Sequence, residues 1–330
     1  MRSTLSTACF AGVVFVAVAG CSGGGGGESG GGMVRPSASE SPVPAAVARQ
    51  AGRLSAPTFT AAQLEAHERS ILARADTFLL SDWLYVNPDP QAEDDLFYPQ
   101  TVRCVGDTCY RATADGTGGI EAITIQSLAT AANQPESGHR VHPTGQRSGV
   151  RLAATTDVEN SFNSASYGGW LDYSAFGVEG IEFIGGELDE WGLLYSYSYG
   201  EAPETNPAVG TATWTGIVAG VDVSLSETAG NTIQGQARID FDIGNRFQLP
   251  NVDIAFTQMY DLDAATRRSD IQWHGVRVQG GSFSTTQLVS GRISGRFYGP
   301  NHEEVGGVFE NRGDPGYSFN IMGAFGAARE

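Results

Sequence analysis

Positive charge is scarce in this chain of 330 residues. It has no lysine, and its 20 arginines face 37 acidic residues, which gives a net charge of −17. Binding of nucleic acids requires clustered positive charge, so this composition excludes a nucleic-acid partner. Charged residues make up only 17% of the chain whereas glycine occurs 44 times, a balance that favours short strands and tight turns over long surface helices.

The chain also lacks a recognisable catalytic constellation. The stretch Gly-Gly-Ser-Phe-Ser at 280–284 has the wrong spacing for a nucleophile turn, and there is no strand-to-helix context around it. Asp240 and Asp242 share one face of a predicted strand and could act as paired carboxylates of a hydrolase. No aromatic cleft is evident around them, so a solvated face is favoured. We therefore predict no enzyme activity, no catalytic residue and no cofactor, with a carboxylate-dependent hydrolase as the weakest alternative.

A metal site is not predicted either. His302, Glu303 and Glu304 are adjacent, but neighbouring residues in a strand or turn point to opposite sides, so at most two of them could converge. The helical spacing H-E-x-x-H is absent. We expect these residues to stabilise a turn.

Long apolar runs are missing, and the longest run near the N-terminus, Phe10 to Ala19, is too short to span a bilayer. It fits a secretory signal peptide over residues 1–20. The end of this run, Val18-Ala19-Gly20-Cys21, resembles a bacterial lipobox, which implies cleavage before Cys21 and lipidation of that residue. An ordinary signal peptide followed by a chance cysteine is the alternative. Several acyl chains, each gaining about 0.8 kcal/mol per buried CH₂, would hold the protein on a membrane.

Residues 21–57 are rich first in glycine and serine and then in proline and alanine. Such a segment buries too little apolar surface to fold, so we predict a lipidated flexible tether with a mean reach of about 30–35 Å. Ser22 stands where lipoproteins retained at the inner membrane have aspartate, which favours the outer membrane.

Cysteine is rare, with four in the chain. Cys9 is removed with the predicted signal peptide, and Cys21 is the predicted lipidation site. Cys104 and Cys109 are therefore the two cysteines that remain. In an oxidising, exported compartment we expect them to form a local disulfide worth about 2 kcal/mol. A C-x₄-C metal half-site is the alternative, but it lacks a second pair of ligands nearby.

Residues 58–150 read as a small α+β region. Thr60 and Gln63 have the spacing of a capping box, which begins a helix predicted over 60–80. A hairpin holding the disulfide and a strand near 118–129 follow. Residues 130–150 show no periodicity and are predicted to be a linker or a long loop.

The remainder of the chain, 151–330, is strongly β. Turn residues separate eight candidate strands. They lie near 211–225, 232–243, 251–261, 270–278, 281–286, 287–299, 304–311 and 317–328. Ala237, Ile239, Phe241 and Ile243 alternate with polar residues, and small and large residues also alternate on the apolar face, as in a small filled barrel. The polar faces cannot meet lipid. We therefore predict a mainly β protein with a soluble, antiparallel, eight-stranded barrel at about 206–330 and a solvated exterior.

One stretch has a family resemblance. The stretch begins with an aromatic pair and Gly-Pro, and continues with an acid, Gly-Gly and an aromatic residue. A strand with the pattern Gly-aromatic-Gly follows it. The residues are Phe297, Tyr298, Gly299, Pro300, Glu304, Gly306, Gly307, Phe309, Gly323, Phe325 and Gly326. They resemble the signature in the C-terminal barrel of transferrin-binding-protein-B-like lipoproteins, a group related to factor H-binding lipoproteins. Residues 167–178, YGGWLDYSAFGV, also resemble stretches that precede the barrel in that group.

The signature has a structural interpretation. Gly299 and Pro300 end a strand, because proline cannot donate to the sheet. Gly306 and Gly307 permit a bulge or a close backbone approach. We expect the hydroxyl of Tyr298 to anchor the turn.

The resemblance implies a lipid-anchored protein of the outer membrane that acts as a non-catalytic binding module for a protein or an iron-related solute. The charged loop at 261–270 is a candidate contact, because binding residues concentrate on loops. A periplasm-facing structural or assembly lipoprotein without an exchangeable ligand is the alternative. Protease treatment of intact cells separates the two, since only surface display exposes the barrel.

Overall fold

The structure is a computed structural model. It describes residues 45–81, 84–86, 103–105, 108–112, 120–124, 140–158, 162–183, 192–203, 205–207, 210–224, 230–243, 249–287, 290–312 and 320–330. The predicted signal peptide and Cys21 lie outside these ranges and stay predictions. Within the ranges, no helix combines the length and the apolar character that a membrane crossing needs.

Two short helices come first, α1 (Ala45–Gly52) and α2 (Ala61–Leu72). The capping box of α2 is confirmed, because Gln63 N–H donates to Thr60 Oγ1 at 3.2 Å and Thr60 N–H donates to Gln63 Oε1 at 2.8 Å. Two expectations differ from the structure. The helix predicted to residue 80 ends at Leu72, and residues 45–52, expected in the tether, are helical.

Ten strands precede the barrel. They are β1 (Thr77–Leu80), β2 (Leu84–Val86), β3 (Arg103–Val105), β4 (Thr108–Ala112), β5 (Ile120–Thr124), β6 (Arg140–Arg147), β7 (Val150–Val158), β8 (Phe162–Trp170), β9 (Ser174–Phe183) and β10 (Gly192–Gly200). Seven of them form one antiparallel sheet in the order β1-β10-β9-β8-β7-β6, with β2 also paired to β10. We call it the flanking sheet. The expected linker at 130–150 therefore contains an edge strand, β6.

The other three strands form a small sheet in the order β3-β4-β5. The predicted hairpin and the strand after it are both present. Cys104 and Cys109 are direct cross-strand partners in this hairpin. Their side chains are not among the described atoms, so the disulfide stays a prediction.

The barrel strands follow in chain order. They are β11 (Thr211–Asp222), β12 (Thr232–Asp242), β13 (Asn251–Asp261), β14 (Thr266–Arg267), β15 (Ile271–Gln279), β16 (Ser282–Gln287), β17 (Gly291–Tyr298), β18 (Glu304–Arg312) and β19 (Asn320–Arg329). All pairs are antiparallel, and pairing of β12 with both β11 and β13 closes a barrel of eight strands. The short β14 only adds to β13. The predicted eight-stranded barrel is confirmed.

Aromatic side chains fill the barrel. The ring of Phe256 lies at its centre, with centroids of Trp273, Phe309 and Phe325 at 5.2, 4.9 and 5.1 Å. Ala237, Ile239 and Phe241 are buried in the same cluster, as the alternation predicts. The interior is therefore a packed core and not a channel.

The barrel exterior is solvated over only part of its circumference, which corrects the sequence-based expectation. Ile217 and Ala219 of β11, together with Val308 and Ala324, form a buried cluster with apolar residues of the flanking sheet. These outward positions are apolar because a second layer covers them. Strands buried on both faces are apolar on both faces.

Helix α1 lies across the seam between the barrel and the flanking sheet. Gln234 of β12 is fully buried, and its Nε2 donates to the carbonyl of Ala48 at 3.0 Å. The hydroxyl of Tyr167, from β8, donates to Oε1 of the same Gln234. Tertiary contacts of this kind stabilise a helix of eight residues that would be marginal alone.

Candidate functional site

The signature segment spans the end of β17, a turn and the start of β18. Phe297 points into the barrel, with its ring centroid 5.0 Å from that of Trp214. Tyr298 points outward, as alternation requires, but it is fully buried because β10 covers it. Its hydroxyl lies 3.0 Å from Ser198 Oγ. The expectation that this hydroxyl anchors the turn is therefore wrong, since it joins the barrel to the flanking sheet.

The turn itself lies where Gly299 and Pro300 predict it. Gly299 has a φ of +80°, a conformation that glycine adopts without strain, and its N–H donates to Glu201 O at 2.8 Å. His302 also has a positive φ, +61°, and its N–H donates to Gly299 O at 3.0 Å.

The adjacent histidine and glutamates have different partners. His302 Nε2 lies 2.7 Å from Thr205 O, and the His302 carbonyl accepts from Trp214 Nε1 at 3.0 Å. Glu303 accepts from the backbone N–H and the side-chain amide of Asn301, at 2.9 and 2.8 Å. The three side chains do not converge, and these contacts stabilise the turn.

Glu304 joins the barrel to the turn between β8 and β9. Its side chain is 4% exposed and accepts from Asp172 N–H at 2.7 Å, from Tyr173 N–H at 3.0 Å and from Ser174 Oγ at 2.7 Å. Burial raises the pKa of this carboxyl to about 7, although these hydrogen bonds oppose the shift. The acid of the signature is thus a buried link between two layers.

The glycines of the signature allow close packing. β18 pairs without a register shift on both sides, so Gly306 and Gly307 mark a close approach and not a bulge. A Cβ on Gly307 would lie 2.2 Å from Ser294 O. A Cβ on Gly326 would lie 2.3 Å from the ring of Phe176, across the seam.

Replacing Gly326 by alanine is expected to destabilise the protein by about 1–3 kcal/mol, because overpacking displaces a buried ring. Gly210 is the matched control, since a Cβ there meets no atom within 4 Å. The urea midpoint of each variant measures the difference. Equal midpoints for G326A and G210A would show that the seam is looser than the structure indicates.

The charged loop at 261–270 is exposed at residues 263–267, 269 and 270, whereas Asp261 is buried, so its role as a partner contact stays a prediction. Arg268 Nη2 lies 2.5 Å from Asp222 Oδ2 and 2.6 Å from Asp261 Oδ2. The two aspartates are 2% and 0% exposed. The pair of Arg267 and Asp270, at 3.4 Å, is at the surface.

The acids proposed for a hydrolase lie on the barrel exterior. Asp240 Oδ1 lies 2.7 Å from Arg238 Nη2, and Thr213 Oγ1 donates to the same oxygen at 2.7 Å. Burial opposes ionisation of Asp240, but the hydrogen bonds and the charge of Arg238 outweigh it and lower its pKa. This is the environment of a surface ion pair.

Two large apolar side chains are exposed where β12 passes to β13. Leu249 is 57% exposed and Ile243 is 36% exposed, and no other large apolar side chain of the described residues is exposed. Ile243 was expected inside the barrel but follows the last pair of β12. We call this surface the barrel rim. Sequence reasoning missed Leu249, although an apolar residue before Pro250 in a turn region was a usable signal.

The C-terminal part of the chain has a known counterpart. Residues 206–329 match the model of a family described as the C-lobe and N-lobe β-barrels of Tf-binding protein B. The barrel is therefore similar to the barrels of transferrin-binding protein B. The signature of this family thus serves packing: Phe297 and Phe309 fill the interior, and Tyr298, Glu304 and Gly326 hold the seam.

A solved structure is also similar. It is the crystal structure of a double mutant of the vaccine antigen Transferrin Binding Protein B from Haemophilus parasuis, with 15% sequence identity and a TM-score of 0.34. The match covers 76% of this chain and 45% of the other, so this chain spans less than half of that protein. No curated protein matches the sequence.

Proposed function

We propose that this chain is a lipid-anchored, non-catalytic binding module of the outer membrane whose barrel rim binds a protein partner. The observation that supports this most directly is the exposure of Leu249 and Ile243 at one end of the barrel. Exposed apolar side chains that lie together at a surface are typical of protein contacts.

Helix α1 and the rim are at opposite ends of the barrel. Helix α1, which follows the tether, contacts β12 at Gln234, whereas Ile243 follows the other end of the same strand. Nine residues of extended strand separate these positions by about 30 Å. A barrel held through Cys21 would therefore be attached at the end opposite to the rim, which leaves the rim free for a partner.

The rim is tied to the barrel on both sides. The N–H of Ile243 donates to Gly210 O at 2.9 Å, and the N–H of Val278 donates to Pro250 O at 2.9 Å. A held backbone loses little conformational freedom on binding, which favours affinity. Because the rim is an exposed edge and not a cavity, it suits a protein better than a small solute.

Transferrin is the first partner to test, because the description of the matching family names it. The experiment immobilises transferrin and measures binding of the mature protein by surface plasmon resonance. In parallel, a photoreactive amino acid at position 249 is used on intact cells to identify any other partner.

Replacing Leu249 by glutamate is expected to weaken binding at least tenfold, because a charge replaces an apolar contact that would be buried. Gln272→Glu is the matched control, since Gln272 is exposed on β15 away from the rim. Both variants should keep the melting temperature of the parent. Unchanged affinity in L249E, or equal cross-linking from positions 249 and 272, would contradict the proposal.

A further inference from the structure

A groove of about 420 Å³ lies between α1 and the barrel, at the end opposite to the rim. Val47 and Ala51 of α1 form one wall, and Gln258 and Tyr260 of β13 form the other. This volume is within the range of small-molecule sites, which combine apolar walls with a few polar groups.

Two guanidinium groups, those of Arg53 and Arg267, line the groove, and no carboxylate lines it among the described residues. Arg267 has one surface partner, Asp270, whose two carboxylate oxygens both lie 3.4 Å from Arg267 Nη2. Within the described part of the chain, no carboxylate lies within ion-pair distance of Arg53. This is an unusual local excess of positive charge in a protein with a net charge of −17.

Further arginines next to the groove donate to backbone carbonyls, so they do not bring compensating acids. Arg147 Nη1 donates to Gly52 O at 3.0 Å, and Arg49 Nη1 donates to Thr144 O at 3.3 Å. Burial and the nearby charge of Arg53 lower the pKa of Arg147, so like charges repel each other at this place. A bound anion would relieve that repulsion.

The opposite wall has a fixed shape. Gln258 has a φ of +52° and lies at a register shift between β12 and β13. Its N–H donates to Asp270 Oδ1 at 2.9 Å, and its Oε1 accepts from Gln236 Nε2 at 2.7 Å. Because Oε1 of Gln258 already accepts a hydrogen bond, the side-chain NH₂ group is the part of this amide that can donate to a ligand.

We propose that this groove binds a small organic anion, with a carboxylate or phosphate group between Arg53 and Arg267 and an apolar part against Val47, Ala51 and the ring of Tyr260. Guanidinium groups pair with both kinds of oxyanion, often through two parallel hydrogen bonds. The site is independent of the proposed partner at the rim, because the two lie at opposite ends of β12 and β13.

The test is a two-dimensional ¹H–¹⁵N NMR titration of the mature protein with benzoate, with its neutral isostere benzamide, and with phenyl phosphate. Saturable shifts of the side-chain amides of Gln50 and Gln258 are expected with benzoate or phenyl phosphate. The tighter of the two identifies the oxyanion class. Benzamide is expected to leave these resonances in place.

Arg53→Gln is expected to weaken binding of the anion at least tenfold, whereas Arg277→Gln, an exposed arginine elsewhere on the barrel, should leave it unchanged. Resonances outside the groove report that each variant is folded. Equal shifts with benzoate and benzamide, no shift with either anion, or an unchanged dissociation constant in R53Q would overturn the proposal.

Discussion

Replacing Arg268 by methionine is expected to lower the free energy of unfolding by about 3–5 kcal/mol, because it leaves two carboxylates buried without their cation. Asp261 is fully buried and also accepts from Asn231 Nδ2 at 3.1 Å and from Ala264 N–H at 2.8 Å. Neutral donors of this kind orient the carboxylate but do not balance its charge. Urea unfolding followed by tryptophan fluorescence measures the loss.

The neighbouring residue provides the control. Arg267→Met makes the same substitution at the surface. The ion pair of Arg267 with Asp270 is exposed there and contributes less than about 1 kcal/mol to the free energy of unfolding. Adding Asp222→Asn and Asp261→Asn to R268M should restore part of the stability, because two buried negative charges are removed. Similar midpoints for R267M and R268M would show that the buried charges find other compensation.

Replacing Glu304 by alanine is expected to lower the free energy of unfolding by about 3–5 kcal/mol. Three hydrogen-bond donors of residues 172–174 would lose their acceptor. Glu304→Gln should be close to the parent near neutral pH. Its oxygen can accept from the two backbone N–H groups, and its NH₂ can donate to Ser174 Oγ. Comparison of the two variants by urea unfolding separates loss of the acceptor from loss of the charge.

The pH dependence of this link has a defined sign. The pKa of Glu304 is raised to about 7 in the folded protein from 4.5, so the folded state holds a proton that the unfolded state releases. The resulting stabilisation is complete below about pH 4.5 and is lost as the pH rises through 7, by an amount on the order of 2–3 kcal/mol. Subtracting the stability of E304Q from that of the parent between pH 4.5 and 8 isolates this contribution. A difference that does not fall with rising pH would show that the carboxyl stays ionised.

The barrel was predictable because its signal is local. Strand, turn and face follow from a period of two and from glycine, proline and asparagine at the breaks, so the strand bounds agree within a few residues. Phe241 and Phe297 were placed inside correctly by that period alone. The capping box at Thr60 is local in the same sense and was also found.

The errors concern contacts between distant segments. Tyr298 was assigned to the turn because its actual partner, Ser198, lies a hundred residues earlier. No local pattern around Tyr298 indicates that contact. Residues 45–52 have the composition of a tether and form a helix because Ala48 is held by Gln234. A signal for the seam was present in residues 216–221, Gly-Ile-Val-Ala-Gly-Val, which are apolar on both faces as in a doubly buried strand.

The alternation of eight strands between an aromatic interior and an outer face follows from the amino-acid pattern alone, because each residue's direction depends only on its place in its own strand. What covers that outer face depends on how distant segments pack in the folded protein. Burial of Glu304, the pairing of Arg268 with two buried aspartates, and exposure of Leu249 all depend on how the layers pack against each other. These contacts form between segments that are far apart in the sequence, so a short sequence pattern does not predict them.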